Sequence, residues 1–169
     1  AAKHQSYGDG LCHLARDMRL AYVIGDHMLR FPVVGAYLKK AEAVVVDDAA
    51  GKRAGGAFDE GVERLAADGR EALIFPEGGL TPVGGKKRYR RGVWKLARAL
   101  GRPVVPVATN MGCFWPEQDK RLNPGEAVIE FLPSMTPGPD SRAFMAELEA
   151  VVEARTRALE ADALAHRRA

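Results

Sequence analysis

The sequence predicts an α/β fold: a largely parallel central sheet flanked by helices, in one domain over residues 1–169. Three observations carry this. Short runs rich in valine and isoleucine recur along the chain, and segments of helical period separate them. Several of the runs are apolar at every position, as strands covered on both faces are. The 169 residues are one domain's length and enough to bury a core.

The elements follow in order. A helix is expected over 10–18, directly after the polar stretch "KHQSYGD" at 3–9. Strands are expected at "LAYVI" (20–24), "AVVVD" (43–47), "ALIF" (72–75), "VVPVAT" (104–109) and "AVIEFL" (127–132), each bounded by Gly, Pro or Asp. Residues 53–67 set Ala54, Ala57, Phe58, Val62 and Leu65 at helical spacing and stop at "DG". Residues 90–100 do the same with Val93, Trp94, Leu96, Ala97 and Leu100. A long helix over 141–164 points Phe144, Leu148, Val151, Val152 and Leu159 inward and Glu147, Glu149, Glu153, Arg155 and Arg157 outward. In sheets of this kind ligands bind beyond the carboxyl ends of strands, where loops take over.

Charge is uneven. The net charge is only +3, yet no acid occurs between Glu77 and Glu117. That gap holds Lys86, Lys87, Arg88, Arg90, Arg91, Lys95, Arg98 and Arg102. This is either a solvated face or an anion site. Two distant cysteines, Cys12 and Cys113, with no Cys/His cluster, give no expectation of a metal and fit a reducing compartment. No apolar run reaches the ~18 residues of a membrane span. The start "AAKHQ" lacks a methionine, so the chain is expected to be truncated at its N-terminus, with any membrane anchor upstream.

Two stretches carry chemistry. In "KHQSYGD", His4 and Asp9 stand about 140° apart on a continuous helix and could not pair there. They pair if His4 precedes the helix, Ser6 caps it and Asp9 lies in its first turn. Asp9 then holds one ring nitrogen and leaves the other as a base. The alternative is a capping segment with an incidental histidine. In "FPEGG" (75–79), Glu77 follows a strand and a proline turn, and Gly78 and Gly79 expose N–H groups suited to an oxyanion or a phosphate. The alternative is a tight turn with a solvated glutamate.

Taken together these stretches resemble the glycerolipid acyltransferase family, which contains the 1-acylglycerol-3-phosphate acyltransferases. Its four ordered blocks are matched by His4 and Asp9 (H-x4-D), partly by "AVVVDD" at Asp47, by "FPEGG" through Gly78, and by "PVVPVA" (103–108). "RYRRG" (88–92) and "GCFWP" (112–116) are similar to a bacterial branch, and the likeness spans nearly the whole chain. It implies transfer of a fatty acyl group from acyl-CoA or acyl carrier protein to the hydroxyl of a lysophospholipid, at the cytoplasmic face of a membrane, with no cofactor beyond the co-substrate. His4 is then the base, Asp9 its orienter, Glu77 positions the acceptor or the loop, and Gly78 and Gly79 offer N–H groups to the oxyanion. Lys86, Lys87 and Arg88 supply charge for an anionic donor or acceptor. Leu80 and Asp48 replace two arginines that the family associates with the acceptor's phosphate. An amine-bearing acceptor such as lyso-ornithine lipid, or a non-catalytic lipid-binding domain, is the alternative. Nucleic acid is not an expected partner, since no recognition motif accompanies the basic run.

Overall fold

A computed structural model describes residues 1–46, 56–118 and 121–166. In chain order the elements are α1 (Tyr7–Arg16), β1 (Ala21–Gly25), a 3-10 turn (Asp26–Arg30), α2 (Pro32–Lys40), β2 (Val44–Val46), α3 (Ala57–Asp68), β3 (Ala72–Leu73), α4 (Gly92–Leu100), β4 (Val107–Thr109), α5 (Met111–Phe114), β5 (Ile129–Phe131) and α6 (Ser141–His166). They pack as two compact units, Asp17–Ile74 and Ala1–Arg16 with Phe75–Ala169. Asp47, Asp48 and residues 53–55 of the expected second helix lie outside the described residues.

The unit Asp17–Ile74 holds the expected parallel sheet, in the order β2-β1-β3, with Val23 opposite Val44 and Ala21 opposite Ala72. Val44 is fully buried, and a Cβ on Gly61 of α3 would sit 3.0 Å from its Cγ1, so the small residue lets the helix lie close to the strand. The 3-10 turn and α2 go beyond the elements expected from the sequence. Pro32 starts α2 at a position where its missing N–H costs nothing. Gly35 allows α2 to approach the preceding turn, where a Cβ would meet Leu29 O at 2.5 Å.

In the other unit the strands β4 and β5 run antiparallel, with Val107 opposite Phe131, so parallel pairing does not extend through the whole chain. The expected strand 104–109 shortens to Val107–Thr109 because Pro103 and Pro106 offer no ladder donor. Val104 still makes an isolated bridge to Met135. The N-terminal residues dock beside β4: Lys3 N–H donates to Val107 O at 3.0 Å, and Val107 N–H to Ala1 O at 2.8 Å.

Helix α6 covers this unit. Asp140 Oδ1 accepts the N–H groups of Arg142 and Ala143, which caps its first turn and holds the Asp140 carboxyl below its ordinary range. Met145, Leu148, Val152, Leu159 and Ala163 form the buried stripe. Two expectations for this helix are corrected: Val151 is exposed, and Glu153 is buried rather than outward. The reason is a set of buried polar partners on the N-terminal residues, described next.

Candidate active site

His4 precedes α1, and Asp9 lies in its first turn. The pairing that a continuous helix forbids is therefore made: His4 Nδ1 is 3.1 Å from Asp9 Oδ2. The same oxygen accepts Gln5 N–H at 2.7 Å and Ser6 N–H at 2.8 Å. Ser6 Oγ in turn accepts Gly8 N–H at 3.0 Å. This is a capping box with aspartate as its acid, and it ties the start of the helix to the orientation of the imidazole. Asp9 is buried, while the His4 side chain keeps 20% of its surface. With Nδ1–H donated to Asp9, Nε2 is the nitrogen left to take a proton.

Three further contacts fix His4. Its ring stacks on Phe75, centroids 3.9 Å apart and planes 16° from parallel. Its N–H donates to Glu77 Oε2 at 3.1 Å, and its C=O accepts Thr81 N–H at 2.8 Å. "FPEGG" thus reaches the site as a support for the base. The Glu77 side chain has no exposed surface, and Lys3 Nζ, equally buried, lies 3.0 Å from its Oε1 in an ion pair poorly angled for a hydrogen bond. Burial pushes the Glu77 carboxyl up, against the pull of the Lys3 ammonium.

A family model described as Acyltransferase matches residues 1–110. The chain belongs to the acyltransferase family. It is 29% identical over 153 residues to a 1-acyl-sn-glycerol-3-phosphate acyltransferase of Pseudomonas aeruginosa, covering 90% of this chain and 60% of the relative. Its fold is that of the crystal structure of the 1-acyl-sn-glycerophosphate (LPA) acyltransferase PlsC from Thermotoga maritima, with a TM-score of 0.75 at 23% identity over 95% of this chain and 65% of the other. The chain spans about three fifths of the length of the Pseudomonas relative.

The other residues expected at the site divide between the interior and the surface. The Glu77 side chain is interior, with one carboxylate oxygen on the His4 N–H and the other beside Lys3. Gly78 sits at φ +69°, and its N–H closes the turn onto Phe75 O at 3.0 Å, so that donor is already used. A Cβ on Gly78 would lie 2.5 Å from the Arg90 guanidinium carbon, and one on Gly79 would lie 3.7 Å from Lys87 Nζ. Two cations therefore flank the turn beside Leu80. Lys86 forms an exposed ion pair with Glu149 at 2.7 Å, and Lys87 Nζ donates to Leu80 O at 2.5 Å. Arg88 is exposed near Glu149. Burial alone would raise the Glu149 carboxyl, but Lys86 and the Tyr89 N–H hold it below its ordinary range.

Sequence reasoning missed Lys3, Phe75, Thr81, Glu153 and Glu160 as parts of the site. One signal was present: Glu149, Glu153 and Glu160 fall within about 40° of one another on a helix. "GCFWP" also reaches the motif, since a Cβ on Gly8 would meet Trp115 Cε3 at 2.8 Å and one on Gly112 would meet Gln5 Cβ at 2.9 Å.

Proposed function

We propose that the chain moves a fatty acyl group from a thioester, acyl-CoA or acyl carrier protein, to the hydroxyl of a lysophospholipid such as 1-acylglycerol-3-phosphate. The observation that carries this reading is the 3.1 Å contact of His4 Nδ1 with Asp9 Oδ2 beside a ring that stays accessible. His4 Nε2 takes the hydroxyl proton as the oxygen attacks the thioester carbonyl. Asp9 stabilises the imidazolium that results. The tetrahedral intermediate collapses with cleavage of the C–S bond, and the imidazolium returns its proton to the leaving thiolate. No acyl-enzyme is required. Gly79 is the glycine left for the oxyanion, since the Gly78 N–H is bonded within the turn. The names of the Pseudomonas and Thermotoga relatives support the acceptor class.

Arg90 and Lys87, beside the "FPEGG" turn, take the place of the arginine that Leu80 replaces and meet the acceptor's phosphate. The charge reversal at Asp48 is the observation that favours a second acceptor, an amine-bearing lyso-lipid. Among the described residues no helix is long and apolar enough to cross a membrane. In this reading the chain lies against the cytoplasmic face of a bilayer through α2. There Phe31 is 55% and Val33 82% exposed, in an acid-free run, "RFPVVGAYLKK", that also carries Arg30, Lys39 and Lys40. Phe31→Ser/Val33→Ser should abolish co-sedimentation with anionic vesicles, and unchanged sedimentation would remove that surface from the account.

The test of the activity is acyl transfer from labelled palmitoyl-CoA to lysophosphatidate and, in parallel, to lyso-ornithine lipid. Transfer to lysophosphatidate that weakens in Arg90→Gln supports the phosphate reading. Transfer confined to the amine-bearing acceptor selects the second. Transfer to both acceptors at one rate in wild type and His4→Ala would remove the mechanism.

A further inference from the structure

Lys3 is a lysine with no exposed side-chain surface, and such a charge persists in an interior only where it is answered. It is answered twice. Its Nζ lies 2.7 Å from Glu153 Oε1 and 3.0 Å from Glu77 Oε1, and it donates to Gly85 O at 3.3 Å. The Tyr89 hydroxyl donates to the same Glu153 oxygen at 3.2 Å. On the far side of His4, Gln5 Nε2 donates to Glu160 Oε1 at 2.5 Å, an oxygen that also accepts Gly84 N–H at 3.1 Å. Lys3 and Gln5 are thus buried against α6, while His4 between them keeps partial exposure, the alternation of an extended segment. Two acids two helical turns apart on α6 grip both neighbours of the histidine.

Only the Lys3 grip also reaches the His4 peptide from the other direction, because Glu77 spends its second oxygen on the His4 N–H. We propose that Lys3, anchored by Glu153 of α6, is a positioning residue for the reaction: its ammonium holds the Glu77 carboxylate against the His4 N–H and so sets the approach of the imidazole to Asp9. This rests on the reading of His4 as the general base. The groups facing Glu77 are Lys3, Glu153, Tyr89 and His4, and Lys3 is the cation among them whose side chain is wholly interior. Without Lys3, a carboxylate in this setting takes up a proton or turns away, and the His4 N–H loses a charged acceptor.

The neutral isostere separates positioning from mere stability. The amide introduced by Glu77→Gln would still accept the His4 N–H through its carbonyl but would need no cation beside it. The experiment compares wild type, Lys3→Met, and Lys3→Met/Glu77→Gln by the pH titration of the His4 ring, followed by NMR on protein labelled with 15N-histidine, and by kcat and KM. Lys3→Met should displace the His4 titration and lower kcat on the order of 10–100-fold with little change in KM, the size expected for a base slightly out of place. Adding Glu77→Gln should return the titration to the wild-type curve and recover most of the lost kcat. An unchanged His4 titration in folded Lys3→Met, or a double variant no better than the single one, would overturn the proposal. Where Lys3→Met does not fold, the charge-balanced double variant decides. A folded double variant with the wild-type His4 titration supports the proposal, and an unfolded one or a displaced titration overturns it. The titration is read on the protein alone, so it judges the Lys3 link separately from the base reading, which fails if His4→Ala transfers acyl groups at the wild-type rate.

Discussion

His4 and His13 lie against the same phenylalanine, and they differ in nearly everything else. The His4 ring stacks face to face on Phe75 at 3.9 Å, whereas His13 of α1 meets it edge-on at 6.5 Å and meets Phe131 edge-on at 5.9 Å. His4 is partly accessible and has a carboxylate oxygen on Nδ1. His13 is buried, and burial lowers its pKa despite the opposing pull of Asp9. An aromatic wall therefore does not make a base. In the proposed mechanism His4 is set apart by the carboxylate on one ring nitrogen and by the partial exposure of its ring. The same burial that silences His13 gives it a structural consequence with pH.

The comparison breaks most sharply at Asp9. Asp9→Asn presents an amide where the imidazole needs a carboxylate, and kcat should fall by ~10²-fold or more with substrate binding little changed. Steady-state kinetics on the purified variant measures this, and a loss under about threefold would leave His4 no different in kind from His13. Phe75→Leu comes next, because it removes a wall from both histidines. It should cost about 1 kcal/mol or more in urea unfolding from the lost ring contacts, and lower kcat about tenfold as His4 gains freedom. A stability loss with kcat intact would show that Asp9 alone orients the ring.

His13→Phe is the smallest expected effect on turnover, within about threefold, because no step of the proposed reaction passes through that ring. Its signature is in stability against pH. The folded chain holds His13 neutral below the ordinary histidine value of 6.5, where the unfolded chain binds a proton. The unfolded state then binds more protons, so stability falls as pH drops from about 6.5 and is recovered as pH rises. Urea midpoints between pH 7 and pH 5 should decline less in His13→Phe than in wild type, and parallel declines would contradict the assignment.

How much of this could be read from the sequence follows from how local each feature is. The His4–Asp9 pair is five residues apart in the chain and is organised by its own capping box, so spacing and a cap residue disclose it. The parallel strands of the Asp17–Ile74 unit announce themselves as the unbroken apolar runs "LAYVI", "AVVV" and "ALIF". Helix α2 does not, because Phe31, Val33, Val34 and Tyr37 are exposed and blur the contrast between its faces. The interior charges are harder still. Lys3 meets Glu153 across 150 residues and Gln5 meets Glu160 across 155, and no local pattern marks a lysine or a glutamate as inward. Their partners exist only once α6 is folded over the N-terminus. Glu77 was legible as a candidate for positioning the acceptor or the loop, but its inward direction, to Lys3 and the His4 N–H, was not.

The most direct test of the central claim is single-turnover acyl transfer from palmitoyl-CoA to lysophosphatidate, comparing wild type with His4→Ala under conditions where both are folded by circular dichroism. If His4 is the base, the wild type transfers the acyl group and the variant loses at least ~10²-fold in rate. Equal rates for the two proteins would contradict it.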